Sequence, residues 1–500
     1  MPLESHDALL KAHLKTSLEK NLESIRAILN VPTNRDVVLR AFRCVSFSIC
    51  AVYIDGMAKD DAISECILRA SKLADASALR QTNLRSEWLK ENVIEVAQCQ
   101  CEREMQALID GVLGGMTALI VDGCDSALLM DTRAFVHRPV GKPTNESVVI
   151  GAQEGFVESL RDNITLLRRY VHSGELITER LSVGTGIQTS IALMYIRGVA
   201  DEKILAEARR RLNGIQAPAV QGVGGIQQLI EDSPRALFPQ MLQTERPDRA
   251  ASFLLEGQFV ILAENSPYAL TAPITLFHLL HTSDDMFMRW QYATFLRVVR
   301  ILGVLISLLL PGLYVALTTH HTHLVPVNLL LSIAKTRADV PFSVLMEVLL
   351  MEFSFYLINE AGTRIPSQIG STISIVGALI LGQAAVSASI ISPILIIIVA
   401  ITGLGSYAVP NYGLSLAITM YRLLIVFAGA FLGLYGIMVA LIAISIQLSG
   451  LHSFGIPYLA PVAPHRRHNP DIFLRLPLRK QKREMFFTQK NSWLYKEKRG

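Results

Sequence analysis

Along the first 290 residues, stretches with apolar residues every three to four positions alternate with short β-branched runs such as Val52-Tyr53-Ile54 and Val260-Ile261-Leu262. The first pattern predicts amphipathic helices and the second predicts strands, so this part is expected to be a soluble α/β or α+β region. Beyond it the pattern changes. The stretch from Ile365 to Pro464 holds one formally charged side chain, Arg422, although 18% of the chain is charged. A soluble domain cannot bury that much apolar surface. At about 20 apolar residues per bilayer crossing, the stretch predicts several membrane helices joined by short turns.

The soluble half contains a repeat. Val52-Tyr53-Ile54-Asp55-Gly56-Met57-Ala58 aligns with Met194-Tyr195-Ile196-Arg197-Gly198-Val199-Ala200, and Ala118-Leu119-Ile120-Val121-Asp122-Gly123 with Val260-Ile261-Leu262-Ala263-Glu264-Asn265, at one offset of 142 residues. Two segment pairs sharing one offset predict a duplicated fold unit. The second pair reads as strand, tight turn, strand in each copy, with Asp122-Gly123 and Asn265-Ser266-Pro267 as the turns. Related α/β subdomains are therefore expected at about residues 1–150 and 170–285, with Phe156 to Tyr170 as a connecting helix. The whole chain then divides into 1–150, 151–290 (connector plus second subdomain), a membrane domain at 291–464 and a basic tail at 465–500.

Within the membrane domain, Phe295 to Thr318 is the first expected crossing, entered beside Arg297 and Arg300. Pro341 to Asn359 carries Glu347 and Glu352 and makes a poor lipid-facing helix. It reads as interfacial, re-entrant, or a crossing whose acids face protein or water. Ile369 to Val386 and Ile390 to Val409 are further crossings. Leu414 to Leu448 is too long for one untilted helix and is expected to split near Gly433 to Gly436 or to begin as an interfacial segment. Four to six crossings result, and an even number follows if the soluble region and tail share one side.

Gly370, Ser374, Ala378 and Gly382 place a small residue every four positions along one helix, a stripe that permits close helix packing or lines a pore. An adjacent face with Val376 and Ile380 would narrow a lumen. Together with Gly377 and Gln383, these are the pore or gate candidates. Glu347, Glu352 and Arg422 are the intramembrane charged candidates, since an ionisable group at membrane depth is by default functional. Arg422 is expected at the membrane surface or against a protein partner, and Glu360 and Arg364 as a helix-end pair.

Other chemistry is thin. All six cysteines lie in the N-terminal third without a CxxC pair, which predicts buried thiols in a reducing cytosol. His320, His321 and His323 should lie on the opposite membrane face from His278 and His281, with no carboxylate or cysteine to complete a metal set. Gly184-Thr185-Gly186 and Gly222-Val223-Gly224-Gly225 lack the Lys-Ser/Thr ending of a phosphate loop. No nucleophile elbow or paired carboxylates point to an enzyme, and no cofactor is expected. Residues 1–30 show no secretory signal. The net charge of +4 conceals a tail of +8 after Pro464, which marks the cytoplasmic side or binds anionic lipid rather than nucleic acid.

Several runs resemble the A subunit of GerA-type spore germinant receptors. They are Met351-Glu352-Phe353, Glu360-Ala361-Gly362-Thr363-Arg364-Ile365-Pro366, Ser374 through Ala385, and Phe454-Gly455-Ile456-Pro457-Tyr458-Leu459-Ala460-Pro461. In the soluble half, Gly155 through Arg161, Thr244-Glu245-Arg246-Pro247-Asp248 and Leu254-Leu255-Glu256-Gly257 are similar to that family's motifs. The resemblance implies a cytosolic α/β region of two related subdomains followed by an α-helical multi-pass domain in the inner membrane of a bacterial endospore. It also implies a transporter-like B subunit that binds nutrient, a lipoprotein C subunit, and assembly as a pentamer into a nutrient-gated cation channel. A receptor scaffold that passes no ion is the alternative. A secondary transporter is a third reading, weakened because transporter repeats usually lie inside the membrane block.

Overall fold

Helix Leu18–Ile28 carries Leu18, Leu22, Ile25 and Ile28 at helical spacing, and all four are buried in one apolar cluster with Val52, Ile54, Ala118 and Ile120. This is one face of the first sheet in a computed structural model that describes residues 9–44, 47–69, 85–96, 98–133, 146, 150–364, 382–464 and 472–477. The sheet is antiparallel throughout, in the order β1 (Val37–Cys44), β2 (Phe47–Ile54), β4 (Thr117–Val121), β5 (Ala127–Met130), β3 (Cys99–Glu102). Met105–Leu113 adds Met105, Leu108, Ile109 and Val112 to the same cluster. The opposite face packs Ile49, Leu119, Val121, Leu128 and Met130 against Ile63, Ile67 and Leu89. Strand residues that alternate between two covered faces explain why β4 and β5 are buried along their whole length.

The second sheet repeats the order with β6 (Leu176–Val183), β7 (Thr189–Ile196), β9 (Phe259–Ala263), β10 (Ala269–Ala272) and β8 (Leu242–Thr244). The duplication predicted from two short alignments extends through the unit. Phe47 to Thr189, Thr117 to Phe259 and Ala127 to Ala269 start equivalent strands, each 142 residues apart. The same step carries Leu18–Ile28 onto Leu160–Tyr170. The helix expected as a connector is thus the opening helix of the second unit. Individual hydrogen bonds repeat as well. Asn21 accepts from the Lys15 amide and Asn163 from the Val157 amide, both at 2.8 Å, while Asp122 and Glu264 accept from the amides of Leu18 (3.2 Å) and Leu160 (3.4 Å).

The units are joined through a buried guanidinium. Arg168 donates to Asp36 Oδ1 at 2.8 Å, to Asn34 at 3.0 Å and to the Leu176 carbonyl at 3.1 Å. Arg168 is 2% and Asp36 0% exposed, so the pair has lost its water and stands on the surrounding hydrogen bonds.

The remaining chain is a helical bundle with one end against the second unit. Two helices, Trp290–Thr319 and Tyr412–Gly450, are long and apolar enough to cross a membrane. Trp290–Thr319 runs from the soluble end to the far end. Helix Val344–Arg364 returns, since Val344 and Val348 pack beside Tyr314 and Val315 while Asn359 reaches Tyr407 near the soluble end. Pro393–Tyr407 also runs back, with Leu395 and Val399 beside Tyr314 and Gly405 beside Gly303. Residues 364 and 382, on either side of the undescribed stretch 365–381, lie at the soluble and far ends respectively. The 39-residue helix splits, as its length allows, at Gly433, whose φ of 61° and ψ of −143° break the helix. Its two parts, 412–432 and 434–450, lie against each other, joined by a 2.5 Å bond from the Tyr421 hydroxyl to Gln447 Oε1. The short helix Val327–Arg337 connects the first pair at the far end.

Glycines set the spacing. A Cβ on Gly405 would meet the Gly303 carbonyl at 2.7 Å, and one on Gly312 would meet Ile425 Cγ2 at 2.6 Å. The helices touch backbone to backbone, as small residues permit in an apolar medium.

Candidate functional site

Arg422 sits on helix 412–432 at mid-bundle, 1% exposed. It faces Val344–Arg364, where Glu352 Oε2 lies 3.1 Å from Arg422 Nη2. Arg422 Nη2 also donates to the Tyr356 hydroxyl, and the guanidinium carbon is 5.7 Å from that ring. Glu352 and Tyr356 are four residues apart on one helix, so one face presents both. On the other side Arg422 Nη1 donates to Ser307 Oγ at 3.1 Å and Ser406 Oγ at 3.2 Å, and these hydroxyls lie 2.9 Å apart. Both serines come within reach because Gly303 and Gly405 bring their helices together.

The cluster draws a cation, an anion and three hydroxyls from four helices, and it is not saturated. Glu352 Oε1 and Arg422 Nε are buried without a hydrogen-bond partner among the described residues. Unmet polar atoms beside a paired charge mark either a strained site or one that exchanges partners. The expectation that Arg422 lies at the membrane surface or against a partner is corrected. Within this chain it is buried against Glu352, because that pairing meets its charge where no water can.

Glu347 belongs to a second pair nearer the far end. Arg337 lies 3.2 Å from Glu347 Oε1, and the Ser392 amide donates to Glu347 Oε2 at 3.0 Å. The carboxylate thus caps the start of Pro393–Tyr407, where the helix dipole favours a negative charge. Of the pore candidates, Gly382 packs with a Cβ position 3.7 Å from Ile396 Cδ1, and Gln383 is exposed. Gly370, Ser374, Val376, Gly377, Ala378 and Ile380 lie outside the described residues, as does the side chain of Arg364.

A third polar group forms the joint between soluble region and bundle. Asp285 accepts from Arg297 at 3.1 Å and Arg300 at 2.9 Å. Burial pushes its carboxyl up, but the Arg300 hydrogen bond and the charges of Arg300 and Arg297 outweigh it, holding the pKa below the usual range. His281 Nε2 donates to the Ile472 carbonyl at 2.9 Å, and burial followed by the Arg297 charge lowers its pKa to about 3. His320 and His321 lie at the other end of the bundle, beside Gly433. The two histidine groups thus lie at opposite ends of the bundle.

Between the two units lies a cleft of about 470 Å³ lined by Arg35, Asp55, Arg161, Arg180, Ser190 and Glu264. Its charges are matched from within, since Asp55 is 2.9 Å from Arg161 and 2.7 Å from Arg180.

Sequence reasoning singled out Glu347, Glu352 and Arg422 but missed Ser307, Ser406 and Tyr356. The available signal was a hydroxyl inside each apolar run, which acquires meaning only when the helices are known to meet.

Residues 23–486 match the model of the Bacillus/Clostridium GerA spore germination protein family. The chain is similar to spore germination protein KA of Bacillus subtilis (strain 168), 35% identical over 93% of this chain and 85% of the relative. It is also similar to an uncharacterized membrane protein of the same organism, YfkQ, at 36% identity over 93% of this chain and 90% of the relative. Among solved structures, the N-terminal domain of the A subunit of the Bacillus megaterium spore germinant receptor GerK3 is 29% identical, covering 52% of this chain and 96% of that one with a TM-score of 0.40.

Proposed function

Since the chain belongs to the Bacillus/Clostridium GerA spore germination protein family, we propose that it is the membrane subunit of a nutrient germinant receptor, oligomerising into a nutrient-gated cation channel. The observation that carries this reading is the Glu352–Arg422 cluster. A charged pair buried at mid-height in an apolar bundle, with one atom of each partner unmet among the described residues, suits an element that exchanges partners between two states. Nutrient bound on a partner can shift that equilibrium only by its differential affinity for the two states.

In this reading the bundle is multi-pass. The described helices give two outward and three returning runs, and a further outward run through 365–381 makes six. The soluble region and basic tail then share the cytosol, at the inner membrane of the spore. The stretch Ile369 to Val386 is the proposed pore wall, with Gly370, Ser374, Gly377, Ala378, Gly382 and Gln383 allowing close approach and Val376 and Ile380 at the constriction. The partners are a transporter-like B subunit and a lipoprotein C subunit, and the homo-oligomer is a pentamer.

Ion flux through the purified chain in liposomes, alone and with its B and C subunits, tests the reading. Nutrient-dependent release of monovalent cations from the complete complex is expected, and Val376→Ala should raise basal leak and weaken dormancy. A complete complex that responds to nutrient without passing ions would make the chain a scaffold. A leak unchanged by Val376→Ala would remove that helix from the pore wall.

A further inference from the structure

The last bundle helix does not simply end at the membrane-proximal surface. After Gly450 the chain forms a tight hairpin, with His452–Ser453 pairing Ile456–Pro457, and this hairpin reaches the second α/β unit and its outgoing loop. Ser453 Oγ donates to the Gln240 carbonyl at 2.7 Å and accepts from the Ile274 amide at 3.1 Å. The Tyr458 hydroxyl donates to the Pro239 carbonyl at 2.7 Å, and the Tyr458 carbonyl accepts from the Leu276 amide at 2.9 Å.

At the tip stands Phe454. Its ring is 6% exposed and joins the core cluster of the second unit with Ile204, Leu212, Ile226 and Phe259. It meets Phe259 of β9 edge to face, centroids 5.0 Å apart, and carries the Arg211 guanidinium 4.6 Å from its centre. Arg211 is itself fixed by Glu207, Asp232 and the Ile230 carbonyl. Phe454 has φ of 49°, a left-handed conformation that is unfavourable for a non-glycine residue. A bulky residue holds such a conformation only where its surroundings over-determine it. Here the surroundings are the core of a different domain.

We propose that Phe454 is a transmission latch, seating the turn after helix 434–450 in the core of the second α/β unit so that a displacement of either is a displacement of both. Because 434–450 packs against 412–432 across Gly433, the latch reaches the helix that carries Arg422. The first α/β unit has no such attachment to the hairpin among the described contacts, so motion enters the bundle through the second unit. The latch is a positioning device, and it rests on the receptor reading only for its consequence in germination.

The test uses the full chain in nanodiscs, comparing wild type with Phe454→Ala and Phe454→Leu by hydrogen exchange, alongside nutrient-triggered germination of spores carrying each variant. Loss of the ring should speed exchange at 259–263 and 434–450 by about tenfold or more while leaving 117–130 unchanged. Germination should slow by a similar factor, and Phe454→Leu should recover most of both. Unchanged exchange would sink the latch. Faster exchange with a wild-type nutrient response would leave a contact that transmits nothing, and failure of Phe454→Ala to accumulate while Phe454→Leu behaves identically to wild type in both readouts would reduce it to a folding contact. Absence of ion flux would touch none of the exchange results, so it would overturn the channel reading alone.

Discussion

Arg422 shows how one residue's meaning depends on what lies opposite. Alone in an apolar run, it could be recognised as costly but not located. Its partner Glu352 is 70 positions earlier (422 minus 352), on a helix whose own depth the sequence left open. Periodicity reports which face a side chain occupies and is silent about which other helix that face meets. Removing one member of a buried pair strands the other charge, typically at a cost of about 3–5 kcal/mol, whereas replacing both with apolar residues often restores stability. Arg422→Met is therefore expected to lower the thermal stability of the detergent-solubilised chain sharply, and Arg422→Met with Glu352→Leu to recover most of the loss. Equal, additive losses from the two substitutions would show that they do not act as a pair.

Among elements, the strands and their duplication were the most legible, because each copy of the duplicated unit is an independent reading of the same pattern. Val52-Tyr53-Ile54 and Met194-Tyr195-Ile196 both lie at the ends of equivalent strands, β2 and β7. The helix Leu160–Tyr170 was placed but misassigned, since its counterpart Leu18–Ile28 shares its spacing of apolar residues and hardly any of their identities. The split at Gly433 is one of the two readings that the helix's length allows, the other being an interfacial start around Arg422. The Gly433 backbone lies in a region essentially restricted to glycine, and a Cβ there would meet His321 at 2.5 Å and His320 Cβ at 2.9 Å. Gly433→Ala should destabilise the helical hairpin by about 1–3 kcal/mol, read as a lower unfolding temperature, while Gly450→Ala, with nothing within 4 Å of its Cβ, should be nearly silent. Equal effects at both positions would show that the corner is not tightly built.

At the scale of the whole molecule, the helix directions place His321 and His323 at one end of the bundle and the 452–458 hairpin at the other, against the soluble region. A cysteine at position 323 should react with a membrane-impermeant thiol reagent from the outer side of vesicles with the cytosolic face inward, and one at 452 should not. Reactivity of both from one side would mean an even number of crossings between them. The pairing of soluble unit and bundle was not legible beforehand. The Phe454 to Pro461 run was visible as a closing motif, but its seat is assembled from Gln240, Phe259 and Ile274, which no local pattern connects to it.

The 142-residue step has a practical consequence. Two copies of one fold sit side by side in a single chain, and the described hairpin is tethered to only one of them. The untethered copy therefore serves as a built-in control. Probes placed at matched positions, such as 53 and 195, experience nearly the same strand geometry, so any divergence between them under nutrient isolates what reaches the tethered copy from what the solvent, temperature or label does to both.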